Sequence, residues 1–243
     1  MRIGGFPYLR RSNARGVDPM CYSATASFAV GISLIPAGVY CVSETLKKDR
    51  AYLGFAAMPL LFGIQQLSEG FVWRGLTSGD TILARISSLV FLFFAFAFWP
   101  FWIAICSWLV EERPRIKNSF KILSVIALAG GALLYIPILL HPDQFLMTSI
   151  AGHSIRYEFL TAAPLDAVPG SVWQWIYLAF IVGPLLKLQN PHLRIFGAVV
   201  GIFAIICNVI YWDEYVSVWC MFAAVLSVYI TWVIKRLPVR LRN

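Results

Sequence analysis

Seven stretches of mostly apolar residues divide this chain, and each is about long enough to cross the hydrocarbon core of a bilayer. They cover residues 22–46, 52–73, 81–110, 120–140, 172–188, 193–212 and 215–234. Charged segments such as Lys47-Lys48-Asp49-Arg50 separate several of them. A helix satisfies its own backbone hydrogen bonds inside lipid. The pattern therefore predicts an all-α fold, a bundle of seven membrane-spanning helices that forms one domain over residues 20–243.

The composition excludes the soluble alternatives. Hydrophobic residues make up 59% of the chain and charged residues only 13%, whereas a soluble domain carries about 25% charged residues. A water-soluble domain cannot bury such an apolar surplus, because most of its surface must still contact water. An intrinsically disordered chain would contain fewer aromatic and more charged residues. A membrane protein is the class that remains.

The basic residues predict the orientation of the chain in the membrane. Lys and Arg collect on cytoplasmic loops, and a cytoplasmic C-terminus places 13 of the 20 basic residues inside. These are Lys47, Lys48, Arg50, Arg113, Arg115, Lys117, Lys121, Lys187, Arg194, Lys235, Arg236, Arg240 and Arg242. The sequence therefore predicts a multi-pass protein of the plasma membrane, with its N-terminus outside and its C-terminus in the cytoplasm.

The net charge of +8 would by itself suggest a nucleic-acid partner. In a membrane chain, however, the positive-inside distribution accounts for that charge. We therefore expect the lipid bilayer as a partner, and no nucleic acid.

The first 19 residues form an N-terminal tail that lacks the long apolar core of a signal peptide. Met20-Cys21 stands directly before the first predicted span. We expect residues 1–19 to result from a mis-assigned start, with translation beginning at Met20.

The outer loop between the fourth and fifth predicted spans contains a β-hairpin signal. In its second half Ile155, Tyr157 and Phe159 alternate with polar residues, after a turn that contains Gly152. Such period-two alternation across a glycine turn is typical of a hairpin with one apolar face. We expect that face to pack on the outer end of the bundle, either as a lid over a cavity or as a simple cap on the helix ends.

The second predicted span contains Glu69, an ionisable side chain deep within the apolar stretches. Gln65 and Gln66 lie four and three residues before it and Trp73 four residues after it, so the four share one helix face. With the helix centre near Gly63, Glu69 lies about 9 Å toward the outside, at 1.5 Å per residue. A charged group at that depth faces the bundle interior and indicates function by default; the simpler interpretation is a polar contact that fixes helix packing.

Several other spans place polar residues at the depth of Glu69. The first brings Cys21, Ser23 and Ser27, the sixth Asn208, and the seventh Ser217, Trp219 and Cys220. The predicted ligand-binding set is Glu69, Gln65, Gln66, Trp73, Asn208, Ser23, Ser27, Trp219 and Cys220.

Other functional classes find no support in the sequence. The last span contains no lysine for a retinal Schiff base, and the three histidines lie in loops or at span ends, so no metal site is predicted inside the bundle. His153 with Glu158 or Glu69 could form a small outer metal site, although a solvated loop histidine is the simpler interpretation. No nucleophile elbow or Walker loop is present, and no cofactor is indicated.

Three segments together resemble a known group of proteins. They are the Met20-Cys21-Tyr22-Ser23 opening, the Gln65-Gln66-Leu67-Ser68-Glu69-Gly70-Phe71-Val72-Trp73 run, and Ser217-Val218-Trp219-Cys220. Over about residues 20–234 the chain resembles an uncharacterised family of small seven-helix prokaryotic integral membrane proteins. The resemblance implies a common fold and a shared outer polar cluster, and it carries no activity.

Three functions remain open on the sequence alone. The leading hypothesis is binding or transport of a small solute or cation in an outward-facing pocket around Glu69. The second is a membrane-embedded enzyme acting on lipid, with Glu69 as general acid or base and Cys21, Ser23 or Cys220 as nucleophile. The third is a structural subunit of a membrane complex, in which the polar cluster only holds helices together.

Overall fold

The computed structural model describes residues 23–152, 154–159, 170–211 and 214–238, and the described chain is mostly helical. Its helices are α1 (Ala24–Lys48), α2 (Leu53–Ala56), α3 (Met58–Ser78), α4 (Thr81–Leu92), α5 (Trp99–Val110), α6 (Pro114–Leu140), α7 (Pro142–Phe145), α8 (Gly170–Lys187), α9 (Pro191–Ile210), α10 (Tyr215–Leu226) and α11 (Val228–Lys235). Two strands, β1 (Leu146–Ala151) and β2 (Ser154–Phe159), lie between α7 and α8. The proposed start at Met20 and the predicted roles of Cys21 and His153 lie outside the described residues.

Five helical segments are long and apolar enough to span a membrane: Ala24–Lys48, Thr81–Val110, Pro114–Leu140, Pro191–Ile210 and Tyr215–Lys235. A shorter apolar helix covers Val172–Lys187. The 21-residue α3 is long enough but carries the Gln and Glu side chains described above, which lower its hydropathy. The predicted helical fold is therefore confirmed, and the five long apolar helices fit the predicted membrane class.

Large apolar side chains cover the outer surfaces of α6 and α9. Val125 on α6 is 63% exposed and Val209 on α9 is 77% exposed. Neighbouring isoleucines on both helices, and leucines on α6, are exposed in the same way. Soluble proteins rarely present apolar surfaces of that extent, so these faces are suited to contact with lipid.

The α1 and α3 helices pack closely because glycines lie at their contact. A Cβ atom at Gly38 would lie 2.3 Å from the backbone nitrogen of Leu60, and one at Gly31 would lie 2.9 Å from the carbonyl oxygen of Gly63. Small residues allow this approach of two backbones inside a bilayer. The face of α3 that carries Leu60 and Gly63 is therefore packed directly against α1.

The α4 and α5 helices belong to one continuous helical segment, Thr81–Val110. The π-helical turn Phe93–Phe98 lies between them. Pro100 lies in the first turn of α5, where its missing N–H and its ring disturb the regular hydrogen bonds of the preceding turn. A π-helical turn changes the direction of the side chains that follow it. Trp99 is the first of these.

One end of the bundle gathers the basic segments, and we call it the basic end. The Lys48 Nζ donates to the carbonyl oxygens of Ile234 and Lys235, at 3.2 and 2.8 Å. The Arg113 side chain donates to the carbonyl oxygen of Lys187, which joins the α5–α6 and α8–α9 connections. Four segments that the sequence assigned to the cytoplasmic side thus meet at one end.

The opposite, hairpin end carries the antiparallel pair β1–β2, in which Ile150 pairs with Ile155. The predicted hairpin is therefore confirmed. Ile155 and Tyr157 are buried in a cluster with Val72 and Phe91, so the hairpin packs its apolar face against α3 and α4. An ion pair also joins the hairpin to the start of α10, where Arg156 Nη2 lies 3.2 Å from Glu214 Oε1.

Candidate functional site

The polar face of α3 points into the bundle. Gln65 and Gln66 are fully buried and Glu69 is 1% exposed, whereas Ile64 and Phe71 on the other faces are about 40% exposed. The shared face that the sequence predicts for Gln65, Gln66 and Glu69 thus lies in the interior, where an ionisable group needs polar partners.

The Glu69 carboxylate has one well-defined hydrogen bond. The hydroxyl of Ser217, in the first turn of α10, donates to Glu69 Oε1 at 2.6 Å. That separation is typical of a hydroxyl that donates to a carboxylate. The positive end of the α10 dipole also favours negative charge at this position. No salt bridge to Glu69 is found among the described residues.

Ser27 and Gln66 lie against the same carboxyl group. The Ser27 hydroxyl and the Gln66 amide interact with this carboxyl group, but neither side chain makes a hydrogen bond of good distance and angle in the described part of the chain. Buried polar atoms in folded proteins nearly always have a partner, and exceptions require an explanation. Here three exceptions surround one carboxylate.

A fourth polar atom of this kind comes from the hairpin. The Tyr157 side chain on β2 is buried, and its hydroxyl has no partner among the described residues. Burial holds the pKa of Tyr157 well above its ordinary value, and the negative charge of Glu69 raises it further. Tyr157 therefore stays neutral and lies close enough to Glu69 to interact with its charge. We call Glu69, Ser27, Gln66, Tyr157 and Ser217 the Glu69 cluster.

Gln65 is bound on both sides, unlike its neighbour Gln66. Its Oε1 accepts a hydrogen bond from Trp99 Nε1 at 2.7 Å, and its Nε2 donates to Cys220 Sγ at 3.4 Å. Trp99 is stacked on Phe62, with ring centroids 3.9 Å apart. Gln65 therefore links α3 to α5 and α10, and its amide atoms are already engaged.

The two predicted aromatic members of the site are buried in apolar clusters. Trp73 belongs to the buried apolar cluster beneath the hairpin, together with Tyr157 and Cys220. Trp219 packs against the rings of Tyr215 and Tyr177, and its Nε1 is buried without a partner among the described residues.

Two predicted members are engaged elsewhere. The Ser23 hydroxyl caps α1 by accepting a hydrogen bond from the backbone nitrogen of Ala26 at 3.3 Å. Asn208 donates to Gln174 Oε1 at 2.8 Å and thereby joins α9 to α8. Neither residue bonds to the Glu69 cluster in the structure.

Two cavities of the described structure lie outside the cluster, and none of its five residues lines either of them. The first, of about 30 Å³, is lined by apolar and aromatic side chains that include Phe62, Trp99, Trp219 and Cys220. Its size matches one or two water molecules, but its lining is apolar. The second, of about 270 Å³, lies at the hairpin end beside the exposed ion pair of Arg85 and Asp143. In the described ranges, no group of three or more His, Cys, Asp or Glu side chains could hold a metal ion.

A family model matches residues 20–242 of this chain. The chain belongs to DUF6629, a family of unknown function. The expected membership of an uncharacterised family is thereby confirmed. No curated protein and no solved structure matches the chain. Within DUF6629, the chemistry of the site must therefore be argued from the side chains themselves.

Sequence reasoning missed two residues of this region. Trp99 lies in a run of aromatic residues that looks like ordinary core, and only Pro100 beside it signals a distorted turn. Tyr157 was predicted to be on the apolar face of the hairpin, but nothing in its spacing connects it with Glu69. Ser217 was placed at the right depth, but its bond to Glu69 needed the tertiary structure.

Proposed function

We propose that the chain crosses the plasma membrane seven times, with its N-terminus outside and its C-terminus in the cytoplasm. The supporting observation is that the connections between helices divide into two groups, one at each end of the bundle. Contacts of Lys48, Arg113 and Asn190 join the basic connections at one end. The hairpin and the Arg85–Asp143 pair lie at the other end. Two connections that lie at opposite ends of the bundle are separated along the chain by an odd number of membrane crossings. This alternation agrees with seven crossings and with termini on opposite sides of the membrane.

Single-cysteine labelling tests this topology. In a chain whose native cysteines are replaced, Glu158→Cys on the hairpin should react with a membrane-impermeant maleimide on intact cells. Lys121→Cys near the start of α6 should react only after permeabilisation. The opposite pattern, or equal reactivity at both positions, would overturn the proposed orientation.

We further propose that the Glu69 cluster binds a small cation, as the central site of a binding or transport protein. The observation that carries this proposal is a buried carboxylate beside buried polar atoms that make no well-aligned hydrogen bond among the described residues. A buried charge is costly unless it is paired. The described basic side chains form no salt bridge with Glu69, so a cation from solution would provide the missing charge.

Thermal unfolding of the purified full chain in lipid nanodiscs tests this function. A panel of inorganic and small organic cations, compared at equal ionic strength, should include at least one that stabilises the protein in a saturable manner. Glu69→Gln should abolish that stabilisation. Glu158→Gln, which removes an exposed carboxylate at the hairpin, is the matched control and should leave it unchanged. Absence of any saturable stabilisation, or its survival in Glu69→Gln, would contradict the proposal.

A second candidate is a membrane-embedded enzyme, and the Ser217–Glu69 hydrogen bond favours it. A serine hydroxyl that donates to a carboxylate at 2.6 Å has the geometry of a nucleophile with its base. Ser217 would then replace the predicted nucleophiles, since Ser23 caps α1 and Cys220 contacts Gln65. A fluorophosphonate probe should label the native protein and not Ser217→Ala. Equal labelling of both would exclude this role for Ser217.

A further inference from the structure

The basic end of the bundle is an interaction surface whose charge and aromatic rings indicate its partner. We infer that it binds anionic phospholipids of the leaflet that it faces, through Lys117, Lys121, Lys235 and Arg236. The inference rests on the proposed membrane-spanning arrangement. It depends neither on the orientation of the chain nor on cation binding at Glu69.

The two ends of the bundle differ in charge within the described ranges. The basic end carries eleven basic side chains: Lys47, Lys48, Arg50, Arg113, Arg115, Lys117, Lys121, Lys187, Arg194, Lys235 and Arg236. It carries four acidic ones: Glu44, Asp49, Glu111 and Glu112. The hairpin end has three basic side chains against four acidic ones: Arg74, Arg85 and Arg156 against Asp80, Asp143, Glu158 and Glu214. An excess of basic residues at one membrane surface attracts anionic lipid head groups.

Four of the basic side chains form no salt bridge with another described residue: Lys117, Lys121, Lys235 and Arg236. Lys117 and Lys121 lie one turn apart on α6, where like charges repel each other. The other two are adjacent at the end of α11. The charge of Glu44 interacts with Lys235, but Glu44 is paired with Lys47 at 3.0 Å. The positive charge of these four side chains is therefore available to an anion from outside the chain.

Aromatic rings hold three of these four cations at the depth of lipid head groups. Each cation lies over one ring: Lys117 over Trp108 at 5.7 Å, Lys235 over Tyr40 at 5.4 Å, and Arg236 over Trp232 at 4.2 Å from the ring centroid. Tryptophan and tyrosine concentrate at the membrane–water interface, and long basic side chains extend from there toward the phosphates. The cations are thus placed where the phosphate groups of a bilayer lie.

The neighbouring residues favour a lipid over a soluble polyanion. Ile122 follows Lys121 on α6, and Val39 precedes Tyr40 on α1; both apolar side chains are exposed. A lipid whose acyl chain covers such a residue has its phosphate beside the adjacent cation. A nucleic acid would instead approach from the water and gain nothing from these apolar side chains. The combination of cations, interfacial rings and exposed apolar residues therefore fits an anionic phospholipid.

The test compares the full chain in nanodiscs of pure phosphatidylcholine and of phosphatidylcholine with phosphatidylglycerol. The anionic lipid should raise the unfolding midpoint by about 4 °C. High salt should reduce this gain, because it screens exposed charges. A short DNA duplex added to the phosphatidylcholine sample should not reproduce the gain. Equal midpoints in the two lipids, or a gain reproduced by DNA, would overturn this inference and leave the membrane-spanning proposal standing. A chain that does not enter nanodiscs at all would contradict both.

Two double variants remove the same charge from opposite ends of the bundle. Lys117→Gln/Lys121→Gln removes two of the four cations and should lose about half of the gain from phosphatidylglycerol. Arg74→Gln/Arg85→Gln, at the hairpin end, is the matched control and should keep the full gain. Both variants should retain the native midpoint in phosphatidylcholine, because the substitutions lie at the surface. A full gain in Lys117→Gln/Lys121→Gln, or equal losses in the two variants, would overturn the assignment to the basic end.

Discussion

Two buried glutamates, one at each end of the bundle, are surrounded in opposite ways. Glu111 follows α5 at the basic end, and Glu69 lies near the hairpin end; each is 1% exposed. Arg113 contacts Glu111 through Nε at 2.8 Å and through Nη2 at 2.9 Å. The backbone nitrogens of Arg113 and Gln189 also donate to Glu111, at 3.0 and 3.3 Å. Glu69 accepts one well-aligned hydrogen bond from the described residues, from the hydroxyl of Ser217.

The contrast separates a structural carboxylate from a candidate binding carboxylate. The charge of Glu111 is paired by an arginine and also joins two connections of the chain, which explains why it can be buried. The surroundings of Glu69 instead contain polar atoms that make no well-aligned hydrogen bond with the described residues. Depth in the protein alone therefore does not indicate function; the state of the neighbouring polar groups does.

The largest effect is expected at the structural carboxylate. Glu111→Ala should lower the free energy of unfolding by about 3 kcal/mol, because two backbone donors and an arginine lose their acceptor. Denaturant titration in mixed micelles measures it. Glu112→Ala, at the exposed neighbouring position, should change stability by about 0.5 kcal/mol or less. Equal losses in the two variants would break the comparison.

Two buried tryptophans, Trp99 and Trp219, provide a second comparison. Trp99→Phe removes the donor to buried Gln65 and should cost about 2 kcal/mol, including the lost ring volume. Trp219→Phe makes the same chemical change at an N–H that has no partner among the described residues, so it should cost about 1 kcal/mol less. The unfolding free energies of the two variants, measured side by side, check this difference. Equal losses would show that the Trp99–Gln65 bond contributes little.

Acid should weaken the basic end selectively. The hydrogen bonds from Arg113 hold the pKa of Glu111 below its ordinary value. Ionisation of Glu111 therefore stabilises the fold above the unfolded-state pKa of about 4.3, and this contribution is lost as the pH falls through the folded-state pKa. The stability difference between the native protein and Glu111→Gln should be constant near neutral pH and shrink in acid. A stability difference that grows in acid would contradict a lowered pKa of Glu111.

The smallest effect is expected at Glu69 when no binding cation is present. Glu69→Gln keeps an oxygen that accepts from Ser217 and removes a buried charge that has no salt bridge within the described part of the chain. The unfolding free energy should therefore change by about 1 kcal/mol or less, in either direction. A loss as large as that of Glu111→Ala would favour the third hypothesis, a polar contact that holds helices together.

Much of this architecture is predictable from local pattern. The apolar stretches locate the long helices, and the period-two alternation locates the hairpin, with Ile155 and Tyr157 on its buried face. The helical period also places Gln65, Gln66 and Glu69 on one face. These features follow from the geometry of a single element, so the sequence contains them directly.

The membership of the site was only partly predictable. Depth matching brought Ser27 and Ser217 to the level of Glu69, but it also selected Ser23 and Asn208, which bond elsewhere. Depth is one coordinate, whereas contact also depends on how each helix is rotated and which helices are neighbours. The distorted turn before Trp99 shows the same limit, since it changes which side chain reaches Gln65.

The sequence by itself determined that this is a mostly helical chain whose apolar helices fit a membrane protein, with a carboxylate inside its second predicted span. Hydropathy and helical period are properties of each segment, and they are independent of the partner helices. Only the tertiary structure decided that Gln65 bonds to Trp99 and Cys220, whereas Gln66 and Ser27 lie beside Glu69 without a well-aligned hydrogen bond among the described residues. The hydrogen bonding of these side chains depends on contacts between segments that are distant in the sequence, and the packing of the whole bundle determines those contacts.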